Sequence, residues 1–180
     1  DMLDGGDGED TASYAGSALA VTVDLNTGIG TGGDAAGDTL NFVENLIGSD
    51  QDDTLTGADA VANVIEGGAG ADSIDGGLAS QNMVSYASSA GAVTIDLNLG
   101  VQGGSGDEAG DLLLNIHGIR GSSGDDTLTG IQPGAAGIDR AILEGGPGAD
   151  TFSVGNLVGG SVSYEHSPAS VIVELPRAGL

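Results

Sequence analysis

Aspartate and glycine recur together in this chain in a fixed order, and that order limits what the aspartates can do. The string Gly-Gly-x-Gly-x-Asp-x-apolar-x spans residues 67–75, with Asp72 sixth and Ile74 eighth, and residues 145–153, with Asp150 and Phe152. It fits residues 5–13 with Asp10, residues 121–129 with Asp126 and a serine for the second glycine, and, more loosely, residues 48–56 with Asp53, Ser49 and Gln51. Glycine at these places lets the chain turn with φ > 0 and exposes carbonyl oxygens on the concave side of the turn. Such a loop offers oxygen alone: several carbonyls and one carboxylate. Oxygen-only sets suit Ca²⁺, which takes six to eight ligands at about 2.3–2.6 Å, whereas Mg²⁺ prefers a rigid octahedron that retains water. One loop cannot complete the shell, but two loops stacked on one edge can. Residues 48–53 and 67–72 lie 19 positions apart, a separation that fits successive coils.

Asp10, Asp53, Asp72, Asp126 and Asp150 are therefore the first candidate ligands, with Gly68, Gly70, Gly146 and Gly148 as the turn glycines that present carbonyls beside them. Asp34, Asp38, Asp107 and Asp111 recur in a second Gly-Gly…Gly-Asp segment and rank next. Asn63, closing residues 57–63, offers an amide oxygen in place of a carboxylate. Asp24 and Asp96 alternate with Val21, Val23, Leu25 and with Val93, Ile95, Leu97, so alternation turns them to solvent. Tyr14, Tyr86 and Tyr164 read as packing residues. His117 and His166 have no counterparts in the other copies and no nucleophile beside them, no nucleophile elbow surrounds any serine, and the paired Asp52–Asp53 has no cleft. This stretch reads as non-enzymatic.

The elements that position these residues follow from repetition at two scales. Ser13-Tyr14-Ala15 returns as Ser85-Tyr86-Ala87, and Ala20-Val21-Thr22-Val23-Asp24-Leu25-Asn26 as Ala92-Val93-Thr94-Ile95-Asp96-Leu97-Asn98. Asp52-Asp53-Thr54-Leu55-Thr56-Gly57 returns as Asp125-Asp126-Thr127-Leu128-Thr129-Gly130. A third copy opens at Val162-Ser163-Tyr164, giving long repeats at about 13–84, 85–162 and a partial 163–180. Within them apolar residues keep a beat near nine: Leu3, Ala12, Val21, Leu40, Leu46, Leu55, Val64, Ile74, Val84, Val93, Leu113, Ile119, Leu128, Phe152, Val162, Val171. A six-residue loop followed by a three-residue strand, with one apolar side chain turned inward, is half of a coil. No coil can bury that side chain alone, so stability is collective. No sustained 3.6-residue stripe marks a helix, and residues 40–47 and 112–119 read as strand. The expected fold is one all-β domain over 1–180, a parallel β-roll or β-helix solenoid.

Composition agrees. Of 180 residues, 27 are acidic and three basic, for a formal net charge of −24, while 39% are hydrophobic. Such a charge opposes compaction and makes nucleic acid and anionic membranes poor partners. A cation is needed if the apolar fraction is to be buried. Glycine numbers 35, and cysteine is absent, which removes disulfides and thiolate-bound zinc. No apolar run reaches the length of roughly 18–20 residues of a membrane span.

The nonapeptide, with its Ser-Tyr…Val-Thr-Val-Asp-Leu…Asp-Asp-Thr-Leu-Thr-Gly spacer, resembles the RTX (repeats-in-toxin) calcium-binding repeat over most of the chain. The resemblance implies a β-roll with Ca²⁺ in the turns, type I secretion and folding outside the cell. It points to a structural module of a secreted or cell-surface bacterial protein of adhesin, surface-layer or filament type. Alternatives are the C-terminal module of a secreted protease, lipase or epimerase, and a carbohydrate-binding module. Expected partners are calcium ions, other copies end to end, and a surface glycan. The start in mid-repeat, residues 1–4 matching the last four places of a nonapeptide, reads as a piece of a longer chain.

Overall fold

The structure is a computed structural model describing residues 1–131, 141–153 and 161–166. Among the described residues there are seventeen strands of three residues each. In chain order they are β1 (Met2–Asp4), β2 (Thr11–Ser13), β3 (Thr22–Asp24), β4 (Ile29–Thr31), β5 (Thr39–Asn41), β6 (Asn45–Ile47), β7 (Thr54–Thr56), β8 (Val64–Glu66), β9 (Ser73–Asp75), β10 (Met83–Ser85), β11 (Thr94–Asp96), β12 (Leu112–Leu114), β13 (Gly118–Arg120), β14 (Thr127–Thr129), β15 (Ile142–Glu144), β16 (Thr151–Ser153) and β17 (Ser161–Ser163). No α-helix occurs among the described residues, one 3-10 turn covers Gly33–Ala35, and no helix is long and apolar enough to cross a membrane.

Outside the spacers the chain alternates between two parallel sheets. One runs β2-β6-β8-β10-β13-β15-β17, wholly parallel and in chain order. Facing strands form β1-β5-β4-β3-β7-β9-β12 and β11-β14-β16. The middle residue of each strand points inward, as the pleat requires. Leu46, Ile65, Val84, Ile119 and Leu143 from the first sheet join Val23, Leu55, Ile74, Ile95 and Leu128 from the facing strands in a single buried cluster. Single aliphatic side chains stacked at strand spacing fill this interior, so aromatic anchors are not required.

The inward residue sits two places after the aspartate or asparagine that closes each loop: Asp10 to Ala12, Asp53 to Leu55, Asn63 to Ile65, Asp72 to Ile74, Asn82 to Val84, Asp126 to Leu128. This rule corrects one expected core position. Val64 is half-buried and Ile65 fully buried, because residues 57–63 form a loop one residue longer than residues 48–53 and shift the beat. Val171 and residues 132–140, an irregular segment in the sequence, lie outside the described residues, as does most of the third repeat.

The spacers depart from a simple coil. β3 pairs antiparallel with β4, and β4 with β5. β3 then lies parallel to the later β7, while β5 lies parallel to the earlier β1. The chain doubles back on itself before the alternation resumes. The second spacer repeats this plan, with β11 parallel to β14, β12 parallel to β9, and the reversed strand reduced to one antiparallel bridge between Val101 and Leu112. Residues 40–47 and 112–119 are each two strands separated by a tight turn, at Phe42 and Asn115, both with φ 53°.

Candidate metal sites along one edge

Four of the five first-ranked aspartates, Asp53, Asp72, Asp126 and Asp150, close loops that enter the same side of the molecule, ahead of β7, β9, β14 and β16. Each folds its carboxylate back over the first glycine of its own loop. A Cβ at Gly48, Gly67, Gly121 or Gly145 would overlap Oδ2 of Asp53, Asp72, Asp126 or Asp150 respectively. The first glycine is required by this close approach and has no positive φ. In two loops the carboxylate closes a turn: Asp53 Oδ2 accepts from the Ser49 amide, and Asp126 Oδ2 from the Ser122 amide at 2.7 Å. The Ser49 and Ser122 hydroxyls add a second clasp, donating to Oδ1 of Asp53 and Asp126 at 2.9 and 2.8 Å. Sequence reasoning treated these serines only as departures from glycine; their recurrence at the same place was the available signal.

The other carboxylate oxygen reaches the neighbouring coil. Val21 N donates to Asp53 Oδ1 at 2.7 Å, Asp53 N to Asp72 Oδ1 at 2.8 Å, and Asp72 N to Asp111 Oδ1 at 2.9 Å. A second run goes from Val93 N to Asp126 Oδ1 at 2.8 Å and from Asp126 N to Asp150 Oδ1 at 3.0 Å. The 19-residue spacing of residues 48–53 and 67–72 is thus a direct stack. Outside this column the exposed Asp52 and Asp125 repeat the device, accepting from Ala71 N and Ala149 N. Gly68 and Gly70, with φ 102° and 126°, and Gly146 and Gly148, with φ 87° and 139°, sit directly against carbonyl oxygens of the preceding loop: Ser49 and Gln51, and Ser122 and Gly124. No side chain fits there.

These carboxylates are buried beside one another. Asp53, Asp72, Asp111 and Asp126 are at most 2% exposed. Burial pushes the Asp72 carboxyl up to about 7, with the charges of Asp111, Asp53 and Asp52 adding to it, and pushes Asp111 up to about 6. Asp150 is raised by burial too. The Asp72 Oδ2 atom is buried without a hydrogen-bond partner, as is Asp10 Oδ2. A cation beside Asp72 and Asp111 would relieve both. The donor set fits a hard cation: carboxylate oxygens with spare lone pairs, carbonyls, hydroxyls, and no sulfur or imidazole. Among the described residues no three acidic or histidine side chains converge to hold a metal by themselves, so an ion on this edge has to draw on main-chain carbonyls.

The opposite edge is built differently. Its loops, residues 57–63 and 76–82, end in Asn63 and Asn82, both fully buried. Asn63 Oδ1 accepts from Ala58 N at 2.9 Å, and its Nδ2 donates to the carbonyls of Ala58, Val61 and Gly76 at 2.8, 2.8 and 3.1 Å. Asn82 Nδ2 reaches the carbonyls of Gly77, Ala79 and Asn115 at 3.1, 2.9 and 3.2 Å. Here the amide NH₂ occupies the convergence of carbonyls. Asn63, expected as an oxygen ligand, thus uses its oxygen on its own loop and acts as a donor. Asp10 also lies on this edge, apart from the other four, and its main-chain N–H donates to Glu44 Oε2 at 2.9 Å.

The second-ranked residues divide. Asp38 and Asp111 occupy equivalent places, each accepting from a buried tyrosine: Tyr14 Oη at 3.1 Å and Tyr86 Oη at 2.8 Å. Burial and the Asp38 contact push the Tyr14 hydroxyl up to about 12, and burial raises Tyr86 as well. The hydrogen bond from the Asp1 amino group holds the Asp38 carboxyl below its usual value despite burial. Asp34 is exposed and Asp107 half-buried, neither in the stacked column. Asp24 and Asp96 are half-buried and cap turns through Asn26 N and Asn98 N. His166 contacts the buried Glu144, which also accepts from Arg120 Nε at 3.0 Å; burial alone would raise the Glu144 carboxyl, but these two partners keep it low. No protein-family model matches this chain, and no curated protein matches it.

Proposed function

We propose that the chain is a calcium-dependent structural module of a secreted or cell-surface bacterial protein, a parallel β-roll that closes when Ca²⁺ occupies its aspartate edge. The observation that carries this reading is the contrast at equivalent loop positions: asparagine edge loops supply an NH₂ group to their converging carbonyls, while aspartate edge loops carry carboxylates, which bring no N–H to the carbonyls and leave Asp72 Oδ2 buried without a partner. Asp53, Asp72, Asp126 and Asp150, with carbonyls presented around Gly68, Gly70, Gly146 and Gly148, are the proposed ligands, and Asp111 extends the column past Asp72.

Mechanism follows from charge. At −24 the metal-free chain repels itself and stays expanded, a state compatible with export. Where calcium is plentiful, each ion neutralises carboxylates that the stack must bury, so binding free energy becomes folding free energy. At a calcium concentration about 100 times Kd, one site adds about 2.7 kcal/mol. Several such sites turn the switch into a cooperative transition. The resulting module is a stiff spacer for an adhesin, surface layer or filament. Removing calcium is expected to remove most of the β-type circular dichroism, leaving a marginally stable folded fraction whose response to urea and pH can still be followed, and titrating calcium back restores the spectrum cooperatively. An unchanged β spectrum in excess chelator, with no metal by elemental analysis, overturns the reading.

A further inference from the structure

The two spacers share their main-chain bonding. Ala36 N donates to Gly33 O and Ala109 N to Gly106 O; Gly37 N donates to Gly30 O and Gly110 N to Gln102 O; Gly30 N donates to Asp38 O and Gln102 N to Asp111 O. This equivalence pairs Ala35 with Glu108. Ala35 is fully buried, and Glu108 is nearly so, at 2% exposure. A carboxylate in the second spacer thus stands where the first has a methyl group.

The Glu108 carboxylate is enclosed by backbone. A Cβ at Gly104 would overlap Oε1, and the Cβ position of Gly106 is 2.5 Å from Oε2 and 3.3 Å from the Ala92 carbonyl oxygen. Oε2 has no hydrogen-bond partner. A second buried oxygen of the same spacer is also unpartnered. Ser17 and Ser89 are equivalent, their amides donating to Tyr14 O and Tyr86 O at 2.9 and 3.0 Å. In the first spacer Ser17 Oγ sits against Gly33, accepts from Asp34 N at 3.1 Å and donates to Leu19 O at 2.6 Å. Ser89, 5% exposed, has no partner for its Oγ. The second spacer therefore carries two unsatisfied buried oxygens, one of them on a carboxylate, at the places where the first carries a methyl group and a satisfied hydroxyl. Unpartnered buried polar groups are costly and call for an explanation. Among the described residues there is no lysine and one arginine, Arg120, which is engaged with Glu144.

We infer that the second spacer holds a divalent-cation site of its own, outside the nonapeptide loops, in which the two oxygens of the Glu108 carboxylate and the Ala92 carbonyl oxygen are ligands to one calcium ion. Ala92 is exposed, so water completes the shell from that side. The first spacer, with Ala35, has no such site. The inference does not depend on the aspartate loops, because none of the three oxygens belongs to one.

The test counts calcium bound per chain by equilibrium dialysis and calorimetry in the intact protein and in Glu108→Ala, which gives the second spacer the residue the first already accommodates. The expected result is one ion fewer with the far-UV spectrum in saturating calcium unchanged; an equal count overturns the inference. Should Glu108→Ala fail to fold, Glu108→Gln, which keeps the shape and removes the charge, decides by the same count. Asp72→Asn and Asp126→Asn separate this site from the loops. If they lose no ion while Glu108→Ala loses one, the loop reading fails and the spacer site stands; if they lose ions and Glu108→Ala does not, the reverse holds. An intact protein that binds no calcium overturns both.

Discussion

The two edges of this molecule solve the same problem with different atoms. Both stack tight loops whose carbonyls converge and whose main-chain N–H groups need acceptors. On the asparagine edge one side chain meets both needs: Asn63 takes the Ala58 amide with its oxygen and three carbonyls with its nitrogen. On the aspartate edge the side chain is all acceptor, so it serves N–H groups of its own and the adjoining coil and leaves the carbonyls to something else. Replacing one nitrogen by one oxygen separates a loop whose side chain both donates and accepts from one whose side chain only accepts.

The most severe way to break this contrast is to put the wrong side chain on the self-sufficient edge. Asn63→Asp removes the NH₂ group, whose two N–H donors face three carbonyls, and buries a charge, so in chelator it should cost at least about 3 kcal/mol, the scale of an uncompensated buried charge. Urea melts of the metal-free variant measure this, provided a partly folded baseline remains; saturating calcium should recover a large part of the loss. A variant as stable as the parent in chelator would mean that the NH₂ of Asn63 contributes nothing.

The reverse exchange is milder. Asp72→Asn relieves a buried, partnerless oxygen and supplies donors, so the metal-free protein should gain about 1–3 kcal/mol. Its melting temperature should also respond less to calcium than the parent's. A destabilised metal-free variant with an undiminished calcium response would show that Asp72 is only a structural clasp.

The smallest effect is on pH. Burial raises the Asp72 and Asp111 carboxyls to about 7 and about 6, above their unfolded value of 3.8. The folded state then binds more protons than the unfolded state between those limits, so stability is fully present below pH 3.8 and is lost as pH rises through 6 to 7. The metal-free protein should therefore grow more stable as pH falls from 7 toward 4, opposite to ordinary acid denaturation. Saturating calcium should flatten that slope near pH 7, because ions replace the protons. Asp38 and Glu144, whose carboxyls are lowered, oppose the trend at the acid end. Denaturant midpoints across this range, with and without calcium, check the sign.

Much of this architecture was legible along the chain because it is local. A six-residue loop and a three-residue strand repeat in register with the sequence, so strand positions and most inward side chains could be read from the nonapeptide itself. Val64 was misplaced because a count from a fixed period ignores a loop longer by one residue, whereas counting two places from Asn63 gives Ile65 directly. The reversal in each spacer was not legible. Residues 28–38 contain too few apolar side chains to mark β4 as a strand, and its pairing is decided by β3 and β5 on either side.

By itself the sequence determined the composition of the half-turns: which loops end in a carboxylate, which in an amide, and which residue two places later must be buried. These follow from bonding within a few residues, where chain geometry leaves little choice. Only the tertiary structure decided the partition into edges. It put Asp53, Asp72, Asp126 and Asp150 on one side and Asp10 with Asn63 and Asn82 on the other, joined Asp72 to Asp111 across 39 positions, and buried Glu108 where Ala35 sits in the other copy. The reason is stacking: a hydrogen bond from one coil to the next depends on which loop lies above, and the doubled-back spacers change that order in a way no repeat period records.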